Sequence, residues 1–109
     1  MIRLIKESKG FGYACGLGDP YSDYLFLICT KNRGDHQEVV NYVKDLIEEG
    51  ELDRTMIDDM EEVSYTIIND LEQMYGIKAT LNYIDENDIV DDSAEFDGVV
   101  YKITHYFDD

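Results

Sequence analysis

Residues 55–83, TMIDDMEEVSYTIINDLEQMYGIKATLNY, contain the clearest change of apolar period in this chain. At 100° per residue, Met56, Met60, Val63, Ile67, Leu71 and Met74 fall within about 80° of arc, the buried stripe of an amphipathic helix. Thr55, with Asp58 three residues on, opens that helix, and Gly76 closes it. From Ile77 the period is two. Ile77, Ala79, Leu81 and Tyr83 alternate with Lys78, Thr80 and Asn82, as a half-buried strand requires.

A second helix precedes this one. Asp35-His-Gln-Glu38 resembles a capping box with Asp35 as N-cap, Val39, Val40, Val43, Leu46 and Ile47 follow at helical spacing, and Gly50 is a natural stop. Upstream lie strands: residues 2–7 alternate weakly, Ser8-Lys9-Gly10 is a turn signal, and residues 11–15 are aromatic-rich. Residues 16–20 read as a loop, and the apolar run 24–30 as a strand buried on both faces. Downstream, residues 85–97 read as an acidic loop. In a last strand Val99, Tyr101, Ile103, His105 and Phe107 share one face. The order β-β-β-α-α-β-β predicts an α+β fold, an antiparallel sheet of about five strands with two helices packed on one face. The 109 residues are expected to form a single domain, 1–109.

Charge is the informative property. Nine Lys+Arg face 25 Asp+Glu, a net of −16 with pI near 4.1, which argues against direct binding of nucleic acid. Nine Tyr and four Phe argue against a wholly disordered acidic chain. No apolar run approaches the ~18–20 residues of a membrane span and the N-terminus has no signal-peptide core, so the expectation is a soluble, intracellular domain. The acidity is segregated: residues 1–34 carry a net +2 and residues 35–109 a net −18.

Motifs for chemistry fail one by one. The glycines of residues 10–18 match neither phosphate-loop pattern and precede no helix. Cys15 and Cys29 have no metal-ligand spacing, and whether they pair is left open by the sequence. His36 and His105 stand alone in a helix's first turn and on a strand, and nothing places either beside a thiol. Aligned as a calcium loop from Asp85, the sequence has Ile89 at position 5, Val90 where glycine is needed and Phe96 where glutamate is needed. No cofactor, metal site or catalytic constellation is expected.

What remains is the carboxylate surface. Asp58, Glu62, Tyr65, Asn69 and Glu72 lie within about 80° on the side of the 55–75 helix opposite its apolar stripe, flanked by Asp59 and Glu61. Like charges at i, i+4 destabilise a helix by a few tenths of a kcal/mol per pair. Asp85, Glu86, Asp88, Asp91, Asp92, Glu95 and Asp97 add a second acidic group. Solubility alone needs only a few net charges, whereas a one-signed field steers an oppositely charged partner. The partner this fits is a basic, nucleic-acid-binding protein, with Tyr65, Tyr75, Tyr83 and Tyr101 as aromatic anchors among the charges.

In size, α+β character and the acidic stretch 35–109, the chain resembles the small acidic inhibitors of phages and mobile elements: anti-CRISPR proteins, anti-restriction DNA mimics and uracil-DNA-glycosylase inhibitors. That resemblance implies a non-enzymatic inhibitor that occupies the nucleic-acid groove of a Cas or restriction nuclease. The alternatives are an immunity protein or antitoxin against a basic toxin, and a small adaptor without mimicry.

Overall fold

A computed structural model describes residues 11–18, 23–51 and 60–107. They form β1 (Phe11–Gly18), β2 (Tyr24–Thr30), α1 (Arg33–Glu48), α2 (Met60–Tyr75), β3 (Thr80–Asp85), a 3-10 turn (Glu86–Asp88), β4 (Ser93–Phe96) and β5 (Val99–Phe107). The architecture is α+β, with two helices and a five-stranded sheet in the order β3-β2-β1-β5-β4. The expected strand at residues 2–7 and the helix start at Thr55 lie outside the described residues.

The sheet is mixed, which corrects the expected antiparallel one. β2 pairs antiparallel with β1 and β3, and β4 with β5, but β5 runs parallel to β1. Parallel neighbours need a long crossover, and here β2, both helices, β3 and β4 intervene between β1 and β5. The element order among the described residues is therefore β-β-α-α-β-β-β. Residues 16–18, expected in a loop, continue β1, and the expected acidic loop contains β4. Its hairpin to β5 turns on Asp97 and Gly98, both at positive φ (51° and 78°), the two-residue turn that Asp-Gly favours.

Each helix end follows from local chemistry. α1 starts earlier than expected because Asn32, not Asp35, is the N-cap: its Oδ1 accepts the Asp35 backbone N–H at 2.7 Å, and its amide donates back to the Asp35 carboxylate at 2.8 Å. At the other end the N–H groups of Gly50 and Glu51 reach the carbonyls of Ile47 and Leu46, a Schellman closure with Gly50 at φ 75°. Gly76, at φ 67°, closes α2 by the related αL motif, its N–H on the Glu72 carbonyl, with Ile77 N–H on the Leu71 carbonyl beyond it.

Two apolar layers flank the sheet. On one face α1 and α2 lay Val39, Val43, Met60, Ile67 and Leu71 against Cys15, Leu17 and Ile28. Met74, expected in the buried stripe, is 62% exposed, since the last turn of α2 overhangs this core. On the opposite face Ala14, Leu25, Leu27, Cys29, Ala94, Tyr101 and Ile103 form a thinner layer, partly covered by Ile84, Ile89 and Phe96. Residues 86–92 run as a strap between the two edge strands of the sheet. Four strand spacings of ~4.8 Å lie well within the reach of that connection.

Gly12 serves this thin layer directly. A Cβ there would sit 2.1 Å from the Tyr101 ring, so the ring lies against bare backbone. Gly12→Ala is expected to lower stability by about 1–3 kcal/mol through overpacking. Gly34→Ala, on the open first turn of α1, should leave stability unchanged or raise it by up to about 1 kcal/mol. Urea unfolding of both variants measures the contrast.

Candidate functional site

The carboxylates fall into two groups on opposite faces of the sheet. Glu61, Glu62, Tyr65 and Glu72 are exposed on α2, over the helix-covered face. Asp58 and Asp59 lie outside the described residues. The strap acids Glu86, Asp88, Asp91 and Asp92 belong to the other face, where Ile89 anchors their segment, and exposed Glu95 sits on edge strand β4. The candidate residues therefore do not converge on one flat surface.

Several strap acids also have conformational work. Asp85 is half-buried and caps the 3-10 turn, accepting the Asn87 N–H at 2.9 Å. Asp91, Asp92 and Asp97 occupy the left-handed region at φ 52°, 55° and 51°, which Asp tolerates better than most residues. Asp92 also accepts the Tyr106 hydroxyl at 3.3 Å, tying strap to β5. Of the α2 acids Asp70 has a comparable duty, accepting the Tyr42 hydroxyl of α1 at 3.0 Å, whereas Glu61, Glu62 and Glu72 have no such bond among the described residues. From Met60 to Asp97 eleven acids face one base, Lys78. Among the described residues, those bonded to other side chains have neutral partners: Asp70 accepts from Tyr42, Asp85 from Asn87 and Asp92 from Tyr106.

Of the aromatic anchors expected, Tyr65, Tyr75 and Tyr83 are more than half exposed. Tyr101 is 6% exposed and belongs to the core, because its ring fills the space over Gly12.

A different corner gathers the polar side chains that the sequence left apart. β5 carries one extra residue relative to β1: Ala14 faces Ile103, but Cys15 faces His105. This bulge at Thr104 breaks the expected one-face alternation. Tyr101 and Ile103 point to the thin layer, whereas His105 turns to the helix side, where its Nδ1 lies 2.9 Å from Nε2 of His36 on α1. Thr104 Oγ1 bonds both imidazoles, at 3.0 Å to His105. Tyr13 stacks on His36 with ring centroids 5.5 Å apart. The two histidines are 69 residues apart, and no local pattern links them.

His36 is 4% exposed and its Nδ1 has no hydrogen-bond partner. In a neutral imidazole one nitrogen carries the proton. Only the form with the proton on Nε2, which has both Thr104 Oγ1 and His105 Nδ1 within hydrogen-bond reach, leaves no buried N–H without an acceptor. Burial, reinforced by neighbouring His105, pushes the His36 pKa down to about 4.

These groups line an open cleft of about 460 Å³ together with Arg33, Gln37 and Lys102. Among the described residues no set of three His, Cys, Asp or Glu is placed to hold a metal. The cysteines are free and separate, Cys15 under the helices and Cys29 in the thin layer. Burial raises their thiols to about 12 and about 11, so neither supplies a thiolate nucleophile at neutral pH. Among the described residues no helix is long and apolar enough to cross a membrane. Compared with family models, curated proteins and solved structures, the chain matches none.

The His36 shift has a sign that stability measurements read. The unfolded chain takes a proton near the ordinary value of 6.5, while the folded protein declines it until about 4. The contribution is complete above pH 6.5 and is lost as pH falls toward 4. His36→Gln should therefore remove part of the fall in the urea midpoint across that window, measured as the difference between the two proteins at each pH.

Proposed function

We propose that the protein is a non-enzymatic inhibitor whose acidic surface occupies the nucleic-acid groove of a basic defence nuclease, as anti-CRISPR and anti-restriction DNA mimics do. The observation that carries this reading is the eleven-to-one excess of acids over residues 60–97, much of it exposed and none of it serving a catalytic or metal constellation among the described residues. Glu62 and Glu72 are ten positions apart, ~15 Å along α2, comparable to about four phosphate intervals of one DNA strand. Carboxylates held on a rigid helix take up the lysines and arginines that otherwise hold phosphates. Exposed Tyr65 between them offers an aromatic contact.

The two-faced distribution favours α2 as the inserted element. The strap's aspartates are accounted for in part by its turns, whereas on α2 a comparable bond is made by Asp70 and not by Glu61, Glu62 or Glu72. One face contacts one groove, and the other remains toward solvent.

The test is affinity capture from a bacterial lysate at low and high salt, with and without duplex DNA, read by mass spectrometry. The expected result is a basic nucleic-acid enzyme, lost when DNA is added. A variant carrying Glu61→Lys, Glu62→Lys and Glu72→Lys should keep its helical circular dichroism and bind that enzyme about a hundredfold more weakly, at roughly 1 kcal/mol per reversed charge. Wild-type affinity in the variant, or a partner that stays bound under excess DNA, overturns the proposal. A cognate toxin as the captured partner indicates an immunity protein instead.

A further inference from the structure

We propose that the cleft between the start of α1 and strands β1 and β5 binds a phosphate group, free or carried by a small phosphorylated molecule. Its position is a local exception in a chain of net charge −16: Arg33 and Lys102 line it, and no carboxylate among the described residues does. The inference is independent of the acidic-surface reading, since none of these side chains belongs to α2 or the strap.

The donor inventory narrows the ligand. His36 Nε2–H has His105 Nδ1 as well as Thr104 Oγ1 within reach, and with Nδ1 as acceptor the His105 proton stays on Nε2, where it is left as a donor. Gln37 spends one amide N–H on Asn41, at 3.1 Å, and keeps the other. Arg33 and Lys102 bring only donors. A wall of guanidinium, ammonium, amide and imidazole N–H groups matches a phosphate group, whose oxygens are strong acceptors and which carries about −1.5 to −2 charge near pH 7. The positive end of the α1 dipole lies at the same corner. A cation is disfavoured, because the two fixed charges repel it and the His105 Nδ1 lone pair is already engaged by His36.

A second observation marks the place as built. His36 is nine-tenths buried or more and lines the cleft; its unpartnered Nδ1 is a buried lone pair that faces no ligand, so the ring acts on the cleft through His105, which it holds in place. Thr30 Oγ1, the other buried side-chain atom without a hydrogen-bond partner among the described residues, belongs to the same corner, since Thr30 pairs in register with Tyr13, the residue stacked on His36. The protein thus keeps a polar pair, at the expense of unpaired atoms, in an arrangement that orients His105. A volume of about 460 Å³ exceeds what a bare phosphate needs and falls within the range of small-molecule sites.

Isothermal titration with inorganic phosphate, adenosine 5′-monophosphate and adenosine separates the sources. Both phosphate-bearing probes should bind, adenosine should not, and a tighter monophosphate would show that the ester rather than the free anion fills the cleft. The variant Arg33→Gln with Lys102→Gln changes two exposed residues, so the fold is expected to survive, and it should bind phosphate at least about tenfold more weakly. Glu62→Lys with Glu72→Lys should bind phosphate as the wild type does, whatever it does to capture of a protein partner. Equal phosphate binding by wild type and the Arg33/Lys102 variant, no heat with any phosphate probe, or adenosine binding as tightly as its monophosphate overturns the proposal. So does Zn²⁺ binding that His105→Ala abolishes while phosphate gives no signal.

Discussion

One extra residue, Thr104, in the parallel pairing of β5 with β1 sets how the two faces of this molecule differ. Before the bulge, alternate β5 side chains Tyr101 and Ile103 complete the thin apolar layer. After it, the alternation is reversed, so that His105 and Phe107 join the helix side and Tyr106 meets the strap through Asp92. A regular strand would put His105 beside Ile103 and far from His36. A shift of one residue moves a side chain to the other face of a sheet, so this single insertion makes the cleft.

The same topology divides the charge. Both helices pack on one face, and the chain then runs from one edge of the sheet to the other through the strap. Acids on α2 and acids on the strap therefore look in opposite directions, although the sequence places them within forty residues. The strap aspartates double as turn residues, which separates shape from charge as reasons for their presence. On α2 such reasons are fewer: Asp70 holds the Tyr42 hydroxyl and Glu61 and Glu62 stand in the first turn, where the helix dipole favours them, while Glu72 has neither role.

Much of the local structure was legible because it is written in local periods. The apolar stripes of α1 and α2 and the closing glycines Gly50 and Gly76 follow from neighbours within five residues. Asn32 displaced Asp35 as N-cap because both are good caps, and the choice rests on which chain geometry β2 delivers. β4 was hidden by composition: Glu95 and the flanking aspartates read as loop, although Asp97-Gly98 is itself a hairpin signal. The parallel β1–β5 pairing and the His36–His105 contact were not legible. Both join residues far apart in sequence, and the contact also depends on a bulge that leaves no mark in the alternation of residues 99–107. Tyr101 shows the same limit, since its burial over Gly12 is a non-local fact that its strand period does not reveal.

The functional core of this account is that the acidic helix and nucleic acid compete for one groove. Its most direct measurement is an equilibrium titration of the captured enzyme with this protein at fixed salt, repeated over rising concentrations of a short DNA duplex. Groove occupation predicts an apparent Kd that rises in proportion to the duplex without limit. A Kd that levels off, with protein and duplex bound to the enzyme together, would contradict it.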